Sequence, residues 1–353
     1  MRRSLILLIA AALLIVRAPL RAADDLTLAL FGDYLESLRR QAGIPGLSAA
    51  IVGEGDIVWE RAFGQQDLEQ AIATRTDTPF HLDGITQVFT AELVLRCVEE
   101  GRLTLDDRVG QFDNDNPEPD ATIREFLTHT SRGPDGPTFT YRPERLKTLA
   151  LAVRACTKDS YRETLAKVLD RLAMRDSVPG PDAATMPPTA AGLFDRTTLD
   201  RYISVLARLA APYAVSGAGH AARSEYSTQT LTPSGGLIST TRDLAQFDIA
   251  LRRGLLLRQE TMVAAWTPPL SAAGESLPHG MGWFVQNWNG EAIVWQFGVS
   301  ENVSSSLIVK VPARGVTFIL LANSDGLVRP FPLAAGDLTV SPIGRLFVHL
   351  FVR

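Results

Sequence analysis

Hydrophobic and polar residues follow two different periods along the chain. Near both ends, short runs rich in β-branched and aromatic residues are separated by turn residues, which is typical of strands. These runs cover residues 47–52, 57–63, 281–286, 292–295, 305–311 and 316–322. Residues 26–42 and 343–351 instead show the spacing of amphipathic helices. The pattern therefore predicts strands near both ends of the chain, with a helix at each terminus.

The stretch between these ends has helical periodicity. Predicted helices cover 84–100, 122–127, 145–156, 161–172 and 197–209, with loops at 114–120 and 178–188. Both periodicities are explained by one antiparallel sheet built from both chain ends. Terminal helices would then cover one face of this sheet, and a helical region would be inserted between its strands. The sequence thus predicts an α+β fold and a single domain over 23–353. Its sheet region is 24–80 plus 232–353, and its helical region is 81–231.

The first 22 residues have the pattern of a secretory signal peptide. A short cationic start precedes twelve apolar residues from Leu5 to Val16, too few to cross a bilayer comfortably. Cleavage is expected near Ala22, although the residue three positions earlier is larger than usual. We predict export to the periplasm or outside the cell. The alternative is a leader retained as an N-terminal membrane anchor.

Composition narrows the classes of function. The chain has 353 residues, of which 46% are hydrophobic, enough for a substantial core. Its net charge of −4 becomes −8 without the four arginines of the leader, and no basic stripe indicates nucleic-acid binding. The two cysteines, Cys97 and Cys156, are expected to be unpaired core thiols. Nothing in the spacing indicates a metal site or a cofactor.

Six sequence segments carry a family resemblance when they are taken together. They are F-H-L-D-G-I-T-Q-V-F-T at 80–90, V-E-E-G-R-L-T-L-D-D-R-V at 98–109, T-I-R-E-F-L-T-H-T-S at 122–131, R-L-A-M-R-D-S at 171–177, G-G-L-I-S-T-T-R-D-L-A-Q-F at 235–247 and L-L-A-N-S at 320–324. In this order they resemble the β-lactamase/penicillin-binding serine hydrolases, especially enzymes close to class C β-lactamases. The resemblance implies a β-lactamase/transpeptidase-like fold with a catalytic cleft.

The first catalytic motif of that family has lost its reactive residues here. Its serine falls on Gly84 and its lysine on Gln87, while Phe80, Phe89 and Thr90 are kept. A serine and a lysine three residues apart on a helix share one face, so the amine can activate the hydroxyl. Glycine has no nucleophile, and glutamine cannot take up a proton at neutral pH.

The other two motifs are degraded as well. The tyrosine of the second motif is kept as Tyr141, which either reaches the cleft or only caps an apolar pocket edge, but its asparagine falls on Pro143. The third motif falls on Gln296, Phe297 and Gly298, where only the glycine is kept. The resemblance therefore implies that no set of catalytic residues is intact.

Backbone donors do not depend on side chains, so the family's oxyanion hole is expected to persist at Gly84 and Val299. The residues expected to converge on a ligand are Gly84, Gln87, Tyr141, Gln296, Gly298 and Val299. We predict a pseudoenzyme whose cleft binds a small molecule or peptide, with a protein partner possible. The alternative is an active esterase, peptidase or β-lactamase that uses a non-standard nucleophile.

A few other side chains are candidates for chemistry. Asp83 is expected to cap the following helix, with a relocated catalytic carboxylate as the alternative. Ser131 and Ser234 are the candidates for a substitute nucleophile, but neither has a lysine or histidine three residues further on. His129 is expected to be a hydrogen-bonding loop residue, whereas the remaining histidines are dispersed. If only side chains are lost, Gly84→Ser with Gln87→Lys is expected to restore slow acylation.

Overall fold

The computed structural model describes residues 21–134, 136–185, 193–227 and 230–352, with side chains from residue 26 onward. The predicted signal segment, 1–22, lies almost wholly outside these residues, as does the end of the loop predicted at 178–188. Within the described ranges, no helix has both the length and the apolar character that a membrane span requires.

Seven of the helices in the described residues, and every described strand of five residues or more, lie close to positions that the periodicity predicts, whereas the helices at 241–252 and 259–265 are not predicted. The helices in the described residues are α1 (Arg21–Gln41), α2 (Thr86–Glu99), α3 (Ile123–Leu127), α4 (Leu149–Thr157), α5 (Tyr161–Arg171), α6 (Arg196–Leu206), α7 (Thr241–Arg252), α8 (Gln259–Ala265) and α9 (Pro342–Phe351). The strands are β1 (Gly46–Gly53), β2 (Asp56–Asp67), β3 (Ile72–Ala73), β4 (Phe80–His81), β5 (Thr130–Gly133), β6 (Gly136–Phe139), β7 (Val178–Pro179), β8 (Tyr213–Val215), β9 (Ala221–Arg223), β10 (Leu237–Ser239), β11 (Phe284–Trp288), β12 (Glu291–Ser300), β13 (Ser304–Val311) and β14 (Val316–Ala322).

A seven-stranded antiparallel sheet lies at the centre of the fold. Its strand order is β11-β12-β13-β14-β1-β2-β3, so the two ends of the chain meet where β1 pairs with β14. In that ladder Ala50 lies opposite Ile319. Residues 57–63 and 316–322 share this sheet, as the sequence predicts. The α+β fold class is confirmed.

Both faces of the sheet are covered, because its central strands bury side chains on each side. On β13, Leu307 and Val309 belong to one core, with α1 and α9, whereas Ile308 belongs to the other, with α2 and α7. This division follows from the alternation of side chains along a strand. Phe31 of α1 and Phe347 of α9 meet over the first face with ring centroids 6.5 Å apart.

The middle of the chain contains more strand than its helical periodicity predicts. β4, β10 and β7 form a three-stranded sheet, while β5–β6 and β8–β9 are hairpins. Each of these strands has four residues or fewer, too few for a recognisable alternating pattern. The three-stranded sheet matters for function because β4 leads directly into the first family motif.

Cys97 and Cys156 form a disulfide, so the prediction of two unpaired thiols is wrong. Cys97 lies on α2 and Cys156 on α4, and the packing of these helices brings the two Cα atoms to 6.2 Å. That separation is within the range that a disulfide bridges. The residues are 59 positions apart, and sequence spacing alone does not show how two helices cross.

Candidate functional site

The site is built where a short strand turns into a buried helix. β4 pairs with β10, placing His81 opposite Ile238, and a 3-10 turn at Asp83–Ile85 then leads into α2. Asp83 has a left-handed φ of 47°, which reverses the chain between strand and helix. This turn places Gly84 against β12.

Two glycines allow the turn and β12 to meet backbone to backbone. A Cβ on Gly84 would lie closer to the carbonyl oxygen of Phe297 than the 3.0 Å below which real Cβ atoms are essentially not found. A Cβ on Gly298 would meet the carbonyl oxygen of Leu82 in the same way. The structure therefore argues against the expectation that Gly84→Ser with Gln87→Lys restores acylation, because a serine at position 84 requires β12 or the turn to shift.

Gln87 is the centre of a buried hydrogen-bond chain. Its Nε2 donates to the Tyr141 hydroxyl at 2.7 Å, and its Oε1 lies 3.0 Å from Nε2 of His129. The backbone N–H of Arg142 donates to Nδ1 of His129 at 3.2 Å. Gln87 has no exposed surface. The side chain at the family's lysine position therefore stands behind the cleft and acts on it through Tyr141.

His129 and His279, which are remote from each other in the sequence, lie together behind the site. The rings of His129 and His279 are 4.7 Å apart, and both are buried. Burial lowers the pKa of His279 to about 3 and holds the pKa of His129 well below its usual value. Both are therefore neutral at pH 7. His129 is the hydrogen-bonding loop residue that its motif predicts, whereas no sequence signal indicates the position of His279.

Gln296 does not line the cleft, which corrects the expectation that it converges there with Gly84 and Tyr141. Gln87 and Gly298, which are expected there as well, are also absent from the described lining. Its Nε2 donates to the carbonyl oxygen of Gly282 at 3.2 Å, and its Oε1 accepts from the N–H of Phe297 at 2.9 Å. The side chain is fully buried because alternation along β12 turns it away from the cleft wall, where Phe297 lies.

The cleft itself has a volume of about 340 Å³. Tyr141 and Phe297 form an aromatic wall, with their ring centroids 5.3 Å apart. The other described lining residues are Asp83, Gly84, Pro143, Thr230, Thr232, Ser234, Gly235, Val299 and Ser300. The described lining thus carries several hydroxyl groups and one carboxyl group, but no cationic side chain.

The backbone N–H of Val299 points toward the end of the cleft at the turn 83–85. The N–H of Phe297 bonds to the side chain of Gln296, and its carbonyl oxygen approaches Gly84, so these groups point away from β13. Backbone groups alternate sides along an antiparallel strand. The N–H of Val299, two residues on, therefore also points toward the turn at 83–85.

Asp83 is not the helix cap that the sequence predicts. The residue preceding α2 is Ile85, which makes no side-chain cap, while the Asp83 carboxylate accepts a hydrogen bond from Ser304 Oγ at 2.7 Å. The intervening 3-10 turn carries Asp83 too far from the helix start to cap it. Burial raises its pKa to about 7. Ser304 is a residue that sequence reasoning missed.

The two substitute nucleophiles lie in different places. Ser234 lines the cleft, where its Oγ is 3.3 Å from Thr232 Oγ1. Ser131 does not appear in this lining, and its Oγ accepts a hydrogen bond from the Arg142 guanidinium at 3.1 Å. Among the residues that the structure describes, no group of three or more His, Cys, Asp or Glu side chains is placed to hold a metal ion.

Comparison with known proteins agrees with this architecture. A family model described as Beta-lactamase matches residues 31–338. The chain is 22% identical over 321 residues to Protein flp of Staphylococcus aureus (strain MW2), covering 79% of this chain and 60% of that protein. The chain thus spans less than two thirds of the length of this relative.

Solved structures share the fold. The octameric penicillin-binding protein homologue from Pyrococcus abyssi aligns with a TM-score of 0.69 and 22% identity, over 85% of this chain and 74% of that chain. The class C beta lactamase from Rhodobacter sphaeroides aligns with a TM-score of 0.65 and 18% identity, over 92% of this chain and 99% of that chain. The family match spans most of the chain and the fold agrees with it, so this chain belongs to the beta-lactamase family.

Proposed function

We propose that this protein is an exported, non-hydrolytic member of its family whose cleft binds a small molecule or a peptide segment. The observation that carries the proposal is the packing at Gly84. The family's nucleophile position has no hydroxyl group, and the carbonyl oxygen of Phe297 occupies the space that a serine side chain needs. Without a nucleophile at this position, the cleft binds a ligand, and the protein is not acylated by it.

The groups behind Gly84 support the same conclusion. Gln87 uses its amide in hydrogen bonds with Tyr141 and His129, so it offers no proton acceptor comparable to a lysine amine. Burial raises the pKa of Tyr141 above its usual value, which keeps the phenol protonated at neutral pH. Neither Gln87 nor Tyr141 is therefore suited to proton abstraction.

The proposed export has support beyond the leader sequence. The disulfide between Cys97 and Cys156 is typical of proteins from oxidising compartments. A periplasmic or extracellular location also fits a cleft for a small molecule or peptide. We propose no nucleic-acid partner, since the chain is acidic and lacks a basic stripe.

A second candidate function is hydrolysis by a displaced nucleophile. It is favoured by one observation, which is that Ser234 and Asp83 both line the cleft. With its pKa raised to about 7, Asp83 is a carboxylate that could accept a proton near neutral pH. Ser234 would then be the acylated residue.

Covalent labelling separates the two functions. The purified protein is incubated with a fluorophosphonate, an activated ester or a labelled penicillin, and its intact mass is recorded, with an active class C β-lactamase as the positive control. We expect no mass increase for this protein. An adduct on Ser234 that disappears in Ser234→Ala would establish the second function and overturn the first.

A further inference from the structure

We propose that the cleft recognises an uncharged carbonyl group, and that Tyr141 donates the recognising hydrogen bond because His129 and Gln87 fix its direction. This inference rests on the proposed ligand-binding function. Gln87 and His129 are positioning residues here, and Tyr141 is the residue that contacts the ligand.

The direction of the hydrogen-bond chain begins at a group that can only donate. The backbone N–H of Arg142 lies 3.2 Å from Nδ1 of His129, so that nitrogen is the unprotonated one. A neutral imidazole then carries its proton on Nε2. Nε2 is 3.0 Å from Oε1 of Gln87 and must donate to it. The tautomer of His129 thus fixes the orientation of the Gln87 amide.

The orientation of the Gln87 amide determines whether the Tyr141 hydroxyl donates or accepts a hydrogen bond in the cleft. With its oxygen bound to His129, Gln87 points its NH₂ group at the Tyr141 hydroxyl, 2.7 Å away. The hydroxyl oxygen accepts this bond, and its own hydrogen has no acceptor in the part of the chain that the structure describes. Gln87 is fully buried and His129 is 1% exposed, so bulk water does not compete for these bonds. Tyr141 therefore presents a donor to the cleft.

The surrounding groups complement an acceptor without a negative charge. The N–H of Val299 points to the same end of the cleft, as derived above. No described lining residue is a cation, and Asp83 adds a carboxyl group. Arg162 donates to Thr230 at 3.1 Å but is paired with Asp182 through two bonds of 2.8 Å. A carboxylate ligand would have no counter-ion here, whereas a neutral carbonyl needs none.

An isosteric substitution tests the direction of the chain. In Gln87→Glu the carboxylate accepts from His129 and also from the Tyr141 hydroxyl, so the tyrosine turns its hydrogen away from the cleft and presents a lone pair. Benzamide, benzoate and benzylamine share a ring that fits the aromatic wall and differ in the polar group. Binding of each is measured by NMR titration on the wild type, Gln87→Glu and Tyr141→Phe.

We expect the wild type to bind benzamide more tightly than benzoate. Both variants should bind benzamide about tenfold more weakly, the loss of roughly one hydrogen bond. In Gln87→Glu, the affinity for benzylamine should increase, which a merely structural defect would not produce. Gln259→Glu, at an exposed position on α8, makes the same chemical change outside this hydrogen-bond chain and should leave the affinity for all three probes unchanged.

Other results would overturn the inference. Unchanged benzamide binding in Tyr141→Phe, tighter binding of benzoate than of benzamide by the wild type, or no binding of any probe would each do so. Tyr141→Phe keeps the ring and serves as the test if Gln87→Glu does not fold. These outcomes leave the proposed non-hydrolytic function intact, since only a covalent adduct in the labelling experiment contradicts that function.

Discussion

The glycine at position 84 removes a hydroxyl group and also allows two backbone segments to meet. Sequence comparison shows only the first effect. Because of the second effect, a serine cannot be introduced at position 84 without moving β12 or the turn at 83–85. At the residue scale, the glycine at position 84 therefore accounts both for the missing hydroxyl group and for the close backbone contact.

We predict that Gly84→Ser destabilises the fold by about 1–3 kcal/mol, the usual range for overpacking, and forms no adduct with a penicillin. Chemical denaturation followed by circular dichroism measures the first effect, and intact mass measures the second. Gly217→Ala is the control, because nothing lies within 4 Å of a Cβ at that position. A Gly84→Ser protein of wild-type stability would show that the backbone contact yields easily.

Glu92 is a buried carboxylate with little to stabilise its charge. It is 2% exposed, and within the described chain neither carboxylate oxygen has a hydrogen-bond partner. The nearest cation is Arg96, whose Nε lies 3.6 Å away. Burial raises the pKa of Glu92 to about 8, against the opposing effects of Arg96 and Arg171. The folded state therefore holds a proton that the unfolded state releases.

This difference predicts a pH-dependent stability. Between the unfolded pKa of 4.5 and the folded pKa of about 8, the folded state binds more protons, so stability falls as pH rises, by up to about 1.4 kcal/mol per pH unit. Glu92→Gln should remove the contribution of Glu92 to this slope and be more stable than the wild type at pH 8. Urea denaturation from pH 5 to pH 8 measures it, with the exposed Glu275→Gln as control. An unchanged slope in Glu92→Gln would contradict the assignment.

At the scale of elements, α2 connects the cleft to the helical region. Its first turn carries Gln87, which acts on Tyr141, and its last turn carries Cys97, which is bonded to α4. Between them lies Glu92. The helix that would hold the catalytic pair in an enzyme is thus anchored at both ends, and the disulfide is the covalent part of that anchoring.

We predict that reducing this disulfide lowers the free energy of unfolding by about 2–4 kcal/mol, because a bridge closing 59 residues restricts the unfolded chain. Denaturation with and without a reductant measures the change. Thiol titration of the denatured, unreduced protein should find no free thiol. The double variant Cys97→Ala, Cys156→Ala should be insensitive to the reductant, and a wild type that is equally insensitive would contradict the prediction.

At the scale of the whole molecule, the cleft lies where the sheet meets the helical region. β12 supplies Phe297 and Val299, the turn before α2 supplies Gly84, and the hairpin end near β6 supplies Tyr141. The cleft therefore depends on how the two regions pack, and either region alone would contain only part of it.

Export is the prediction that concerns the N-terminal segment. We expect the mature protein to begin close to residue 23 when it is produced in a bacterium that exports it, because the apolar run of the leader is too short for a comfortable membrane span. Intact-mass analysis of the secreted or periplasmic protein measures the start. A protein that keeps its leader and fractionates with membranes would favour the anchored alternative.

The sequence predicts six of the seven strands of the central sheet, all but the two-residue β3, together with most helices and the family resemblance. Each of these features depends on residues that are close together in the sequence, since side-chain periodicity and motif identity are local properties. The strands of four residues or fewer in the middle of the chain were not predictable, because they are too short to show a period.

The contacts of the altered motif residues follow from the tertiary structure. The contact between Gly84 and Phe297, the pairing of Cys97 with Cys156 and the approach of Gln87 to His129 join residues 42 to 213 positions apart. Contacts between residues so far apart in the sequence depend on how the elements pack, because closing a long loop costs entropy that only the packed core offsets. For the same reason the direction of the hydrogen bond at Tyr141, on which ligand choice depends, is a property of the fold.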